Sequence, residues 1–369
     1  MKTHQLILAA ALVALAACTK GNVETQTNVD SNEIGFRAVT SMNTKANNAI
    51  ITGTSYGTDN TFQVWGWQSE GGAFAEFSDN AASNFMTNLT IEWTKGAAAA
   101  THDFAWRNAA HYYYWPFTGK ISFLAIHPST VAPTSTGWDA ANDVPQAAIA
   151  DYTIAAGNKT TDLMFATNEG SRRADALPMV FKHALSQIQF RARTNEDYSA
   201  DVTFTLNSVT LNNIDLSGDL AYANNAFTWT DNAAQTEDWA YYATPQVVNY
   251  AANDLAADLY GAANVMIPQN AYVHADAVGE PGDPGYVAEV PGTKITISYT
   301  MQQTGSADIT GTVTVPAPWS KVNPAESVLA WEPGKKYNYT LNFKLNEINF
   351  DPSVTNWVEV EMSTINILD

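Results

Sequence analysis

The stretch LPMVFKHALSQIQFRAR, residues 177–193, lies at the middle of the 369-residue chain and decides how the rest is read. Its second half alternates. Ile188, Phe190 and Ala192 fall on one side of an extended chain, with Gln187, Gln189, Arg191 and Arg193 on the other. A period of two with one apolar face is the pattern of a half-buried β-strand. Similar short runs, punctuated by Gly, Pro, Asn and Asp, stand on both sides. The stretch therefore reads as the seam between two β-rich halves.

Working outward into the second half, Val202, Phe204 and Leu206 alternate with threonines, and Ile295, Ile297, Tyr299 and Met301 do the same. Val313 and Val315 mark a strand before Pro316. Residues 279–292 are rich in Pro and Gly and read as a hairpin tip. Pro333 and Gly334 make a turn, after which Tyr337, Tyr339, Leu341, Phe343 and Leu345 form the clearest strand of the chain. Residues 251–259 are a candidate short helix. Into the first half, FQVWGW (62–67) and ISFLAI (121–126) are strands, residues 89–93 and 105–106 weaker ones. NEIGFRAVTSMNTKA (32–46) opens with a strand that places Ile34, Phe36 and Ala38 on one face. Long helical heptads are absent, while Trp, Tyr, Phe, Thr and Val are abundant, so the expected class is all-β.

The start of the chain carries a different signal. Lys2 is followed by an apolar run, residues 6–15, too short to span a bilayer stably. The run ends in Leu15-Ala16-Ala17-Cys18. Small residues before a cysteine suit a lipoprotein signal peptidase, after which the Cys18 thiol accepts the lipid. Residues 1–17 are thus read as a signal peptide and 18–32 as a polar tether. Cys18 is the only cysteine, so no intrachain disulfide is possible and stability must come from burial.

The formal net charge is −19, and loss of residues 1–17 with Lys2 makes it one unit more negative. Such a surface repels nucleic acid and anionic lipid. Motifs for chemistry are sparse. Gly53, Ser55 and Gly57 fit G-x-S-x-G, but no helix pattern follows as a nucleophile turn requires. The histidines are scattered without metal-ligand spacing, the segment 215–219 (DLSGD) lacks the rest of a calcium loop, and phosphate loops are absent. No cofactor, metal or catalytic residue is expected. Aromatic residues could build a sugar-stacking platform, although packing accounts for most aromatics in β-proteins.

The tripeptide-and-cysteine signal, residues 33–46, YYYWPFTGKISFLAIHPS (112–129), DLMFA (162–166), FKHALSQIQF (181–190) and WEPGKKYNYTLNF (331–343), in that order, resemble the fimbrillin (Mfa-like) lipoproteins of Bacteroidales, subunits of type V pili. The resemblance implies two tandem transthyretin-like β-sandwiches, here 33–183 and 184–369. It implies export to the outer membrane through a lipid on Cys18, and trimming by a trypsin-like surface protease in the loop after the first strand. Lys45 suits that cut better than Arg37, which lies inside the strand. It further implies that a C-terminal strand of a neighbouring pilus subunit fills the vacated groove. The segment 358–368, with Val358, Val360 and Met362 on one face, is the candidate donor, or else the last strand of its own domain. The alternative function is a non-polymerising surface lipoprotein that binds glycans or host proteins.

Overall fold

A computed structural model describes residues 32–40, 56–69, 84–94, 106–139, 141–155, 159–173, 175–194, 196–231, 237–250, 257–258, 264–270, 292–316, 330–345, 348–356 and 359–360. Among these residues the regular structure is entirely β, and no helix occurs. In chain order the strands are β1 (Phe36–Thr40), β2 (Phe62–Ser69), β3 (Asn84–Trp93), β4 (Trp106–Arg107), β5 (Lys120–His127), β6 (Ser135–Asp139), β7 (Val144–Thr153), β8 (Met164–Gly170) and β9 (Leu177–His183) before the seam. After it come β10 (Ser186–Thr194), β11 (Val202–Ile214), β12 (Ser217–Ala223), β13 (Ala226–Asp231), β14 (Glu237–Tyr242), β15 (Gln246–Val248), β16 (Ala257–Asp258), β17 (Asn264–Met266) and β18 (Gln269–Asn270). The last are β19 (Lys294–Gln303), β20 (Ile309–Pro316), β21 (Ala330–Trp331), β22 (Lys335–Phe343), β23 (Ile348–Asn356) and β24 (Glu359–Val360).

Seven strands close into a barrel in the order β1-β4-β3-β2-β5-β8-β9. Its interior is aromatic, with Phe36, Phe62, Phe123 and Phe181 packed together with Val64, Ile121, Leu177 and Met179. Strand β5 explains why ISFLAI is apolar without a break. Ile121, Phe123 and Ala125 face the barrel interior, while Leu124 and Ile126 face outward into a second core. A strand buried on both faces loses the polar alternation of a half-buried one.

That second core lies under a four-stranded sheet, β13-β12-β7-β6. Trp65, Trp67, Leu124 and Phe165 of the barrel wall meet Trp138, Ile149, Leu220 and Tyr222 of this sheet. The sheet draws β6 and β7 from before the seam and β12 and β13 from after it, joined where Leu220 pairs with Ile149. Between β12 and β13, Asn224 and Asn225 adopt φ of 49° and 61°. Two consecutive left-handed residues make the tight turn whose twist suits a two-residue hairpin.

The third core is a sandwich. One sheet runs β16-β10-β22-β23-β24, with β17 also on β10, and the facing sheet runs β14-β11-β19-β20, with β15 on β11. Between them lie Ile188, Phe190, Phe204, Leu206, Ile297, Tyr339, Leu341 and Phe343. Strands β10 and β22 are parallel and in register from Gln187↔Lys336 to Thr194↔Phe343. Phe190 stacks on Tyr339, 5.2 Å between centroids and 23° between planes.

Several expectations are corrected. Ala257 and Asp258, inside the candidate helix 251–259, are extended and pair with Ala192 and Arg191 of β10. An edge on β10 offers ladder hydrogen bonds there that outweigh local helix propensity. Leu345 lies beyond the end of β22 and is exposed. Gln187 and Gln189, on the polar side of the seam strand, are as buried as the apolar side, at 1% and 2% exposure. Both faces of β10 are covered from Ser186 to Phe190, so its alternation there sorts two interior environments, while Arg191 and Arg193 are only half-buried.

Candidate functional site: the seat of the first strand

Strand β1 closes the barrel unequally on its two sides. It runs parallel to β9 over five residues, from Phe36↔Leu177 to Thr40↔Phe181. On its other side, among the described residues, it meets β4 through one pair, Phe36↔Trp106. Just upstream the backbone is tied by three bonds. Ile34 N donates to Tyr113 O at 2.7 Å, Trp115 N to Asn32 O at 2.6 Å and Leu177 N to Gly35 O at 2.9 Å. β9 in turn is held to β8 only at Met164↔His183 and Phe165↔Lys182. Residues 177–181 of β9 thus take their sheet partner from β1 alone among the described residues.

The alternation of NEIGFRAVT decides what enters the barrel. Ile34, Phe36 and Ala38 point inward at 3%, 2% and 7% exposure, whereas Arg37 is exposed. The Phe36 ring sits edge-on to Phe62 at 6.2 Å and to Phe123 at 5.3 Å. Trp115 roofs the same pocket, edge-on to Phe123 at 5.8 Å. Its indole occupies the space where a Cβ on Gly170 would stand, 2.8 Å from that position. Glycine at 170 is what lets Trp115 cover the upstream end of β1. Burying Ile34 and Phe36 is worth about 1.5–3 kcal/mol each, with less from Ala38.

The opposite end of the seat is polar. Tyr56 stacks on Phe181 at 5.0 Å, and its hydroxyl lies 2.6 Å from His127 Nδ1 and 3.0 Å from Thr61 O. His127 Nδ1 is also 3.0 Å from Thr61 O. In the sheet, His127 is opposite Met164, which is opposite His183, so the two imidazoles flank one methionine at one end of the barrel. His183 Nδ1 is 2.6 Å from Asp162 Oδ2, both side chains buried. Burial pushes the His127 pKa down to about 4, only partly opposed by the Thr61 carbonyl and the Asp162 charge. Burial, with Asp162, holds the Tyr56 phenol well above its usual range. Both are therefore neutral at pH 7.

The scattered histidines of the sequence thus divide. His127 and His183 converge, His111 stays exposed, and His102 and His274 lie outside the described residues. Sequence spacing cannot show a convergence made by β5, β8 and β9 lying side by side. Among the described residues no three His, Cys, Asp or Glu side chains gather to hold a metal. Ser55 of the G-x-S-x-G stretch lies outside the described residues.

Cys18, Lys45, Val358 and Met362 also lie outside the described residues. Arg37 is on β1 with its following residue, Ala38, facing the core. Val360 belongs to β24, which extends the chain's own sheet by pairing Val360 with Val354 and Glu359 with Thr355. Most aromatic side chains sit in the three cores. Three do not. Tyr112, Tyr114 and Phe117 are 44%, 51% and 89% exposed, with the Arg107 guanidinium over Tyr112 and that of Arg172 over Phe117.

A sequence model of the fimbrillin-like family matches residues 44–357 of this chain, a span that begins just after β1. Among solved structures, a fimbrial protein from Bacteroides vulgatus superposes with a TM-score of 0.50 at 15% identity, covering 88% of this chain and 99% of that one. A candidate cell adhesion protein from Bacteroides ovatus gives 0.45 at 14% identity, covering 89% and 98%. Another from Bacteroides uniformis gives 0.42 at 15% identity, covering 88% and 98%. Among curated proteins none matches this sequence.

Proposed function

The chain belongs to the fimbrillin-like family, and from that premise we propose that it is a structural subunit of a cell-surface pilus whose first strand is a removable plug. In this reading Cys18 carries the lipid that holds the precursor at the outer membrane, with 1–17 removed and 18–32 as tether. The two halves, 33–183 and 184–369, are read as tandem transthyretin-like β-domains, the first closing its strands into the barrel, the second built on the sandwich, and the four-stranded sheet sharing strands of both. A trypsin-like protease cuts after Lys45, so that β1 leaves whole, or after Arg37, so that only its Phe36 end leaves. A strand from a neighbouring subunit then takes its place, with 358–368 as the candidate donor. The reading assigns no catalytic step.

The observation that supports it is the way β1 is held. It buries Ile34, Phe36 and Ala38 in the barrel yet, among the described residues, meets β4 through a single residue pair. Without β1, the backbone N–H and C=O groups of β9 that face it are left unpaired beside a row of apolar pockets. An incoming strand satisfies both, which is β-augmentation. Gross burial of about 1.5–3 kcal/mol for each large side chain is offset by about 1–2 kcal/mol of backbone ordering per residue. The margin is small, so a covalently attached β1 outcompetes an intermolecular strand by its effective concentration. Cutting the chain after β1 abolishes that advantage.

Trypsin treatment of the purified protein tests this. The expected result is loss of the segment ending at Lys45 followed by a ladder of oligomers under mild denaturant. Release of that segment with the protein remaining monomeric overturns it.

The second reading, a surface lipoprotein that binds glycan without polymerising, is favoured by Phe117, whose ring is almost wholly in solvent beneath Arg172. A glycan array with Phe117→Ala as comparison tests it; no bound glycan, or binding unchanged by the substitution, removes it.

A further inference from the structure

We propose that the free edge of β20 is a second interaction surface, at which two copies of this chain pair antiparallel into one continuous sheet. β20 pairs with β19 over eight residues, Lys294↔Pro316 to Met301↔Ile309, without a register shift. Among the described residues its other edge pairs with nothing. Ile309 is 53% exposed, and Thr310, Thr312 and Thr314 are exposed. A flat, regular, uncharged edge strand is a template for another strand, and proteins ordinarily blunt such edges.

The opposite edge of the same sheet is blunted. β14 begins with Glu237 and Asp238, both exposed, and its pairing with β11 shifts register twice. β20 has neither device. Residues 309–316, ITGTVTVP, contain no charged side chain. In a chain of net charge −19, copies repel over most of their surface, and an uncharged edge is where they approach without like charges opposed.

The sequence of the strand also selects its partner. Directly opposed residues in an antiparallel pair share a face, so identical strands pair only about a residue facing itself. Centring on Thr312 sets Thr310 against Thr314, Gly311 against Val313 and Ile309 against Val315. Centring on Val313 instead would bring Pro316, which has no N–H, opposite Thr310, and centring on Gly311 would shorten the paired span to residues 309–313. The chosen register continues a face already built of threonine pairs, Thr296 with Thr314 at 3.3 Å and Thr300 with Thr310 at 3.5 Å. Cross-strand Thr–Thr pairs are favourable, and two equal charges directly opposed are not.

Sedimentation of the full, unprocessed chain over a concentration series tests the proposal. β1 stays attached, so a dimer seen here does not depend on strand exchange, and its absence does not bear on that exchange. A reversible dimer is expected. Thr312→Lys, at an exposed position that asks nothing of the core, should weaken it by about tenfold or more, and Ala240→Lys on β14 should leave it unchanged. Circular dichroism confirms that both variants fold. Thr312→Cys combined with Cys18→Ser should oxidise to a disulfide-linked dimer, since directly opposed residues lie within bridging distance. A monomer at every concentration, a dimer indifferent to Thr312→Lys, or no crosslink through position 312 overturns it.

Discussion

Phe36 of β1 stands edge-on to Phe123 of β5, 5.3 Å between ring centroids at 87°. The first described strand is thereby anchored to a strand that is itself buried on both faces. Phe36→Ala should cost about 3–5 kcal/mol, the usual range for emptying a buried aromatic site. Denaturant unfolding measures the loss. Limited proteolysis should show faster cleavage around β1 than in the sandwich, because among the described residues the ties of β1 to β4 reduce to one residue pair. A loss below about 1 kcal/mol would mean that the ring contributes little to holding the strand.

Acid should destabilise the protein through His127. Its folded pKa is lowered from 6.5 to about 4 by burial. The unfolded chain then binds the extra proton first, so stability is fully present above pH 6.5 and falls as pH drops toward 4. The loss over that window is about 3 kcal/mol. His127→Asn should flatten the pH dependence of the unfolding free energy there, though it lowers the plateau by removing contacts with Tyr56. An equally steep slope in the variant would place the acid sensitivity elsewhere.

Gly311 of β20 faces Tyr299 of β19, and the tyrosine ring lies where a Cβ at position 311 would be. Tyr299 also packs edge-on against Phe343 at 5.9 Å, which limits its retreat. Gly311→Ala should therefore destabilise by about 1–3 kcal/mol despite the better strand propensity of alanine. Thermal melting of the variant checks this, and an unchanged or raised midpoint refutes it.

Gln189 offers a change in the other direction. Its side chain is buried and its Oε1 has no hydrogen-bond partner among the described residues. Gln189→Met keeps the volume and removes the unsatisfied oxygen, so stability should rise by about 1 kcal/mol. Denaturant titration that shows a loss of that size would mean that the amide is satisfied in solution.

Parts of this architecture are readable from particular residues. The alternation Ile188-Phe190-Ala192 marks β10, and the sandwich core contains all three side chains. Ile34, Phe36 and Ala38 stand out as one face of a strand, and they are buried together in the barrel. The turn at Pro333-Gly334 is legible as well, with Gly334 at a φ of 70°. Less legible is the four-stranded sheet. β7 (VPQAAIADYT) and β12 (SGDLAYA) are built of alanine, glycine and aspartate, residues with poor strand propensity. They are strands because Trp65, Trp67 and Phe165 of the barrel wall need a cover. The signal that was available there is Asn224-Asn225, a hairpin pair between two short apolar runs.

The sequence by itself determined the strongly alternating strands, such as β1, β10 and β22, and their apolar sides, because a period of two is local. It could also announce the family, through an ordered set of short stretches. Only the tertiary structure decided what stands opposite each face. It brought His127 and His183 to the two sides of Met164, covered the glutamine side of β10, and paired β1 along its whole length with β9. These are pairings between residues far apart in the chain. Their selection rests on which surfaces remain to be buried once every strand is placed, and no local pattern carries that information.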